Sequence, residues 1–114
     1  MTIVTMHKYN EDHLEMVMAE AEKHGQVTIN VYDNGDMYYA LEGVHRTEAA
    51  KRLGLPIVLV CKDWDDVIHT DCEDVDGRDE NGMAKVSDIF EYAYGERVEG
   101  QVYSNGDFDD VEVQ

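Results

Sequence analysis

Leu41-Glu42-Gly43-Val44-His45-Arg46-Thr47-Glu48-Ala49-Ala50-Lys51-Arg52-Leu53-Gly54-Leu55-Pro56-Ile57-Val58-Leu59-Val60 carries the clearest structural pattern in the chain. It reads as the end of a strand, a glycine turn, a helix, a glycine stop, a proline and a continuously apolar strand. The helix is expected from about His45 to Leu53, with Ala49, Ala50 and Leu53 turned to the core. Gly54 ends it and Pro56 cannot continue it. At the front, Gly43 lets the backbone turn sharply or approach a ligand closely. Behind it, free backbone N–H groups, the positive helix end, His45 and Arg46 converge over Gly43 to Thr47, a combination that suits a phosphate or carboxylate. Basic residues at that end oppose the helix dipole, so folding alone does not favour them there. The competing expectation is that Arg46 simply pairs with a nearby acid.

Upstream, Thr2 to Met6 is a short β-branched run that reads as a first strand. Asn10 then caps a helix running to about His24, with Glu11 and Asp12 favourably placed in its first turn. Leu14, Val17, Met18 and Ala21 fall on one helical face. Val27 to Tyr32 and Met37 to Leu41 flank Asn34-Gly35, which predicts a hairpin.

Downstream the pattern weakens. Trp64, Val67 and Ile68 fit either a short helix or an irregular strand, and residues 71–82 read as an exposed acidic loop. Val86 to Tyr94 has helical spacing. Val98 to Tyr103 and Phe108 to Val113 flank Ser104-Asn105-Gly106-Asp107 and predict a second hairpin. The near-copies VYDNGDM (31–37) and VYSNGDF (102–108) are read as convergent turn chemistry, because nothing around them repeats. The expected fold is a single small α+β domain, with a mixed sheet, two β-hairpins and two to three helices.

Charge limits the function classes. The 114 residues hold 26 acids against 9 Lys and Arg, a formal net of −17. Such a field repels nucleic acid and anionic membrane surfaces, so neither is expected as a direct partner. No stretch approaches the roughly 18 to 20 apolar residues of a membrane span. The N-terminus lacks the pattern of a signal peptide, and with only Cys61 and Cys72 a reducing cytoplasm is the expected compartment. Residues 61–114 carry seventeen acids and four bases, net −13, against nine and five, net −4, in residues 1–60. No linker separates the halves.

Other chemistry is thinner. His69 and Cys72 are types that ligate zinc, but only two good ligands are local. The acidic run fails the calcium-loop template, because Cys72 and Met83 fall at the end-ligand positions. Cys61, closing an apolar strand, reads as a core residue, and Trp64 as a core or rim anchor. Tyr32, Tyr38, Tyr39, Tyr92, Tyr94 and Tyr103 suit either an interaction surface or half-buried strands.

Gly43-Val44-His45-Arg46, with Ala49-Ala50, Leu53-Gly54-Leu55-Pro56 and the apolar strand beyond, resembles the ParB/sulfiredoxin-like superfamily over about residues 27–60. Members typically show Asp-Gly, His-Arg, Ala-Ala and Leu-Gly in this order after a hairpin, and the Asn34-Gly35 hairpin stands where theirs does. The resemblance implies that the turn and helix N-terminus hold the phosphates of a nucleotide, often with Mg²⁺. Gly43, His45 and Arg46 would be the phosphate contacts, with Thr47 closing the same turn, and Glu42 would serve a metal or act as a base. The chain also departs from the family. Sulfiredoxins carry a reactive Cys directly before the His-Arg pair; Val44 stands there, which excludes sulfinic-acid reduction by that route. Chromosome-partition members have an Arg-rich turn and a following DNA-binding domain, for which this chain leaves no room. The resemblance then implies the fold and an anion site, while the family's own activity does not carry over.

A reading from a different class uses the acids themselves. Carboxylates spaced like backbone phosphates, roughly one per 3.4 Å per strand, compete for the same Lys and Arg side chains. Asp63, Asp65, Asp66, Asp71, Glu73, Asp74 and Asp76 are the main array, extended by Asp79 and Glu80, and Asp107, Asp109 and Asp110 form a second patch. Small phage inhibitors of restriction or CRISPR complexes are analogous in size and charge, and the partner would be a basic, nucleic-acid-binding host protein. Solubility alone needs a net charge of only about 2 to 8, so the excess points to a basic partner or to a salt-rich cytoplasm.

Overall fold

Asn10 keeps an extended backbone directly before the helix, and its side-chain oxygen accepts the His13 N–H at 3.2 Å, which starts α1 (Glu11–His24). In the computed structural model, which describes residues 1–70, 72–95 and 100–114, this helix follows β1 (Thr2–Val4). β2 (Val27–Asp33), β3 (Tyr38–Ala40), α2 (Val44–Leu53) and β4 (Ile57–Cys61) come next. β5 (Val67–His69), β6 (Met83–Lys85), α3 (Val86–Tyr94), β7 (Val102–Ser104) and β8 (Val111–Val113) complete the fold. It is α+β, as its patterning predicts. Asp71, and Val98 where the last hairpin is expected to begin, lie outside the described residues. Among the described residues no helix is long and apolar enough to cross a membrane.

Six strands form one mixed sheet in the order β7-β1-β3-β2-β4-β8. β2 pairs with β3 antiparallel and with β4 parallel, so the hairpin and the apolar strand that ends the quoted segment fill the centre of the sheet. The first hairpin forms, with Asp33 opposite Tyr38. Its loop has four residues, Asn34 to Met37, and the Asn34 side chain accepts the N–H groups of Asp36 and Met37.

Strand alternation gives the sheet two apolar faces. Ile29, Val31, Leu59 and Ile57 lie with Leu14, Ala21, Ala49 and Ala50 in one core, under α1 and α2. Tyr32, Tyr39, Val4 and Leu41 lie with Ile68, Val86 and Ile89 in the other, under α3 and the two-stranded β5-β6 sheet. The 72–82 segment is a series of turns whose acids are exposed while Val75 is buried. That anchor holds what reads in sequence as a plain loop.

The second hairpin does not form. β7 pairs antiparallel with β1 at one edge of the sheet, and β8 pairs parallel with β4 at the other. Between them Asn105–Asp107 makes one 3₁₀ turn. The Asp107 carboxylate accepts the Ser104 N–H at 2.9 Å, and the turn carries a reciprocal capping box. Side-chain capping satisfies this Asn-Gly turn without strand pairing, and the free edges of β1 and β4 supply the partners. The two near-copied heptapeptides therefore adopt different structures.

Tyr94 and Tyr103 are internal, which removes them from any tyrosine-rich surface. The Tyr94 hydroxyl reaches the carbonyls of Val4 and Ala40. The Tyr103 hydroxyl donates to the buried Glu48 carboxylate at 2.7 Å. Burial, with little room for the phenolate, pushes both phenols up, and in Tyr103 the Glu48 carboxylate adds to it. Glu48 also accepts from Arg52 Nε at 2.8 Å, and Arg52 reaches on to Glu11 and Tyr9, so one carboxylate ties α1, α2 and β7 together.

Candidate functional site

Gly43 sets the front of α2. Its φ of 76° is left-handed, and no side chain caps the helix start. The first turn of α2 contains no acid. Its leading N–H groups therefore keep their partial positive charge without an internal partner. This helix end opens on a cavity of about 230 Å³, lined by His7, His13, Glu42, Gly43, His45 and Arg46 among others.

The three imidazoles are the feature the sequence does not disclose. The His13 and His45 rings meet edge to face with centroids 4.4 Å apart, and His7 lies 6.3 Å from His45. His7 precedes α1, His13 sits in its first turn and His45 opens α2, so only the packing of α1 on α2 brings them together. No spacing rule finds them.

Each residue singled out around the Gly43 turn has a definite place. His45 Nε2 accepts the Asn10 N–H at 2.9 Å, so the neutral ring carries its proton on Nδ1. Arg46 donates to the Glu42 carboxylate and to the Thr28 carbonyl, as the ion-pair expectation had it, while still lining the cavity. The second Glu42 oxygen accepts the Asn30 N–H at 3.2 Å. Thr47 is fully buried, and its hydroxyl donates to the Gly43 carbonyl at 2.8 Å. Gly43, His45 and Arg46 thus stand at the cavity, whereas the Thr47 side chain is turned into the helix.

Mg²⁺ needs free oxygen ligands. Glu42 is the one carboxylate among the described residues that line the cavity, and both its oxygens hold the turn. The described residues of the cavity therefore do not fit a protein-held Mg²⁺. Among the described residues no three His, Cys, Asp or Glu side chains are grouped to hold a metal ion. Cys61 is half-buried at the end of β4, and burial followed by the charge of Asp33 pushes its thiol up.

Burial, then the neighbouring His13 and His7, lower the His45 pKa. The unfolded chain therefore binds this proton more readily than the folded one. The resulting stabilisation is complete above the ordinary imidazole value of about 6.5 and is lost as pH falls through the lowered folded value. Protonation also turns Nε2 into a donor facing the Asn10 N–H. Urea midpoints measured from about pH 8 down to about pH 5 should fall in the native chain. The fall should be shallower in His45→Gln, whose amide oxygen can accept the same N–H without titrating.

A second, larger groove of about 870 Å³ adjoins the cavity and shares His13, Val17 and Arg46 with it. Met16, Ala19, Ala21 and Val27 give it an apolar lining. Asp63, Asp65, Asp66, Glu73, Asp74 and Asp76 are all exposed, and the ion pairs among the described residues involve none of them. No family model, curated protein or solved structure matches the chain.

Proposed function

We propose that the protein binds a small anionic ligand, of the class of a nucleotide, at the N-terminus of α2. The observation that carries this reading is the uncapped start of α2 opening on a cavity ringed by His7, His13 and His45. Leading backbone N–H groups and imidazole N–H groups are the donors that a phosphate takes. The adjoining apolar groove suits a ring or chain attached to that anion. The 27–60 segment, on which the ParB/sulfiredoxin resemblance is read, forms the β2–β3 hairpin, α2 and β4 around this helix start. A metal, if it arrives, does so on the ligand's phosphates, because Glu42 has no free oxygen.

Titration of ATP, CTP, GTP and inorganic phosphate, each with and without Mg²⁺, tests this by the imidazole resonances. The expected result is saturable movement of the His7, His13 and His45 signals, with His69 in β5 unmoved. His7→Ala should weaken binding about tenfold, the loss of one charge-assisted hydrogen bond. Unmoved cavity histidines and an unchanged melting temperature with every ligand would overturn the reading.

A second reading is that the exposed acids present an acidic surface to a basic, nucleic-acid-binding protein. The absence of Lys or Arg partners for Asp63, Asp65, Glu73, Asp74 and Asp76 among the described residues favours it. Charge left unpaired on the surface remains available to a partner.

A further inference from the structure

Trp64 is 43% exposed and stands over the outer side of the second core, away from the α2 cavity. It stands in Lys62-Asp63-Trp64-Asp65-Asp66, between β4 and β5. Its ring meets Tyr32 of β2 at 5.0 Å between centroids and Phe90 of α3 at 5.4 Å. Phe90 in turn meets Tyr32 at 5.6 Å and Tyr39 of β3 at 4.9 Å. Four aromatic side chains, from β2, β3, the β4–β5 loop and α3, thus form one partly exposed face.

The loop that presents Trp64 is tied down. Its carbonyl accepts the Ser87 N–H at 3.1 Å, and the Asp66 carbonyl accepts the Val86 N–H at 2.8 Å. The Asp66 side chain accepts the Asp63 N–H, also at 2.8 Å. These bonds fix the loop to the start of α3, so little freedom remains to be lost when something docks. Fixed aromatic side chains at a surface are the groups that anchor protein interfaces.

Charge selects the occupant. Asp63 and Asp65, exposed on either side of Trp64, make no ion pair with a Lys or Arg of the described residues. An apolar helix laid here would strip water from these carboxylates without compensation. A second copy of the chain brings another −17 and is repelled. Nucleic acid is repelled for the same reason. Guanidinium meets both demands, since it stacks flat on aromatic faces and donates in a fork to carboxylates. The rings pack against one another at 4.9 to 5.6 Å, so the cation lies across their outer faces and not between them.

We propose that the Trp64–Tyr32–Phe90–Tyr39 face is a docking surface for an arginine-rich segment of a protein partner, with guanidinium groups stacked on Trp64 and paired with Asp63 and Asp65. The proposal is independent of the α2 cavity. It rests on the acidic-surface reading for long-range attraction and adds to it a specific place and a specific side chain.

The test uses the full chain with octa-arginine, octa-lysine and octa-glutamate peptides at about 0.15 M salt, where long-range attraction is largely screened. Trp64 is the chain's one tryptophan, so its fluorescence reports on this face alone. A dye on the peptide supplies an anisotropy signal for variants. Octa-arginine should change Trp64 emission saturably and bind about tenfold more tightly than octa-lysine; Trp64→Ala should lose about tenfold in anisotropy. Asp63→Asn with Asp65→Asn, which leaves the aromatic packing in place, should also weaken octa-arginine selectively and guards against a misfolded Trp64 variant. Equal binding of the arginine and lysine peptides, unchanged by Trp64→Ala, would overturn the proposal and leave the acidic-surface reading standing. Failure of both basic peptides to bind would overturn both. Concentration-dependent dimerisation that buries Trp64 without peptide would overturn it in favour of self-association.

Discussion

Gly43→Ala is expected to be among the most damaging single substitutions in the chain, at about 2–6 kcal/mol of stability. Two effects add. The residue must hold a φ of 76°, which L side chains resist. A Cβ built there would stand 2.5 Å from Cγ2 of Ile29, a fully buried side chain of the central strand β2. Neither the helix start nor the strand can yield without disturbing the core beneath α2. Gly54 is the control: its φ is 65°, but nothing lies within 4 Å of a Cβ there. Gly54→Ala should therefore cost only the backbone effect, about 1–2 kcal/mol. Urea denaturation of both variants, with unchanged m, measures the difference. Equal losses would show that Ile29 makes no demand on position 43. The close approach at this glycine is thus a requirement of the fold, whatever the cavity holds.

Replacing Tyr103 should produce the other large effect, and two variants separate its causes. Tyr103→Ala removes a ring that is 2% exposed and packs on Phe108 at 5.7 Å between centroids; the expected loss is about 3–5 kcal/mol. Tyr103→Phe keeps the ring and removes only the hydroxyl that donates to Glu48. One oxygen of a buried carboxylate is then left without its partner, at a cost of about 1–3 kcal/mol. Glu48→Gln in the Tyr103→Phe background should recover part of that loss, because a neutral amide tolerates the missing donor better than a carboxylate. Thermal or urea unfolding of the three variants gives the comparison. A Tyr103→Phe chain as stable as the native one would mean that Glu48 finds water in place of the phenol.

The legible and illegible parts of this fold divide by distance along the chain. α1 could be read because Asn10, two first-turn acids and an apolar stripe lie within one segment. The β2–β3–α2–β4 unit could be read because glycines and a proline mark its joints. β5 and β6 are only half legible: each has three residues, β5 fits the irregular-strand alternative, and the thirteen residues between them carry two turn signals, Asp76-Gly77 and Asn81-Gly82, that do not say which strands pair. The pairing of β7 and β8 was misread because Asn-Gly marks a turn but does not say which strands pair. Their partners, β1 and β4, are elsewhere in the sequence. The site divides in the same way. Gly43, His45 and Arg46 were visible as one run, and Arg46 took the Glu42 partner that lies one helical turn before it. His7 and His13 were invisible as cavity groups, because three histidines spread over 39 positions meet only after α1 docks on α2. Thr47 looks like a phosphate ligand in sequence, but threonine inside a helix often bonds back to the carbonyl four residues earlier, as it does here.

The separation of β7 from β8 has a consequence for how the chain acquires its structure. Both outer strands of the six-stranded sheet come from residues 102–113, which leave the ribosome after the four strands they enclose. Until they emerge, β1 and β4 present open strand edges on opposite sides of a nascent sheet, and open edges invite pairing between chains. A late-arriving segment that closes both at once makes completion of the sheet nearly all-or-none. The strong negative charge already carried by the emerging chain then has a use before folding ends: it keeps neighbouring unfinished chains apart while their edges are bare.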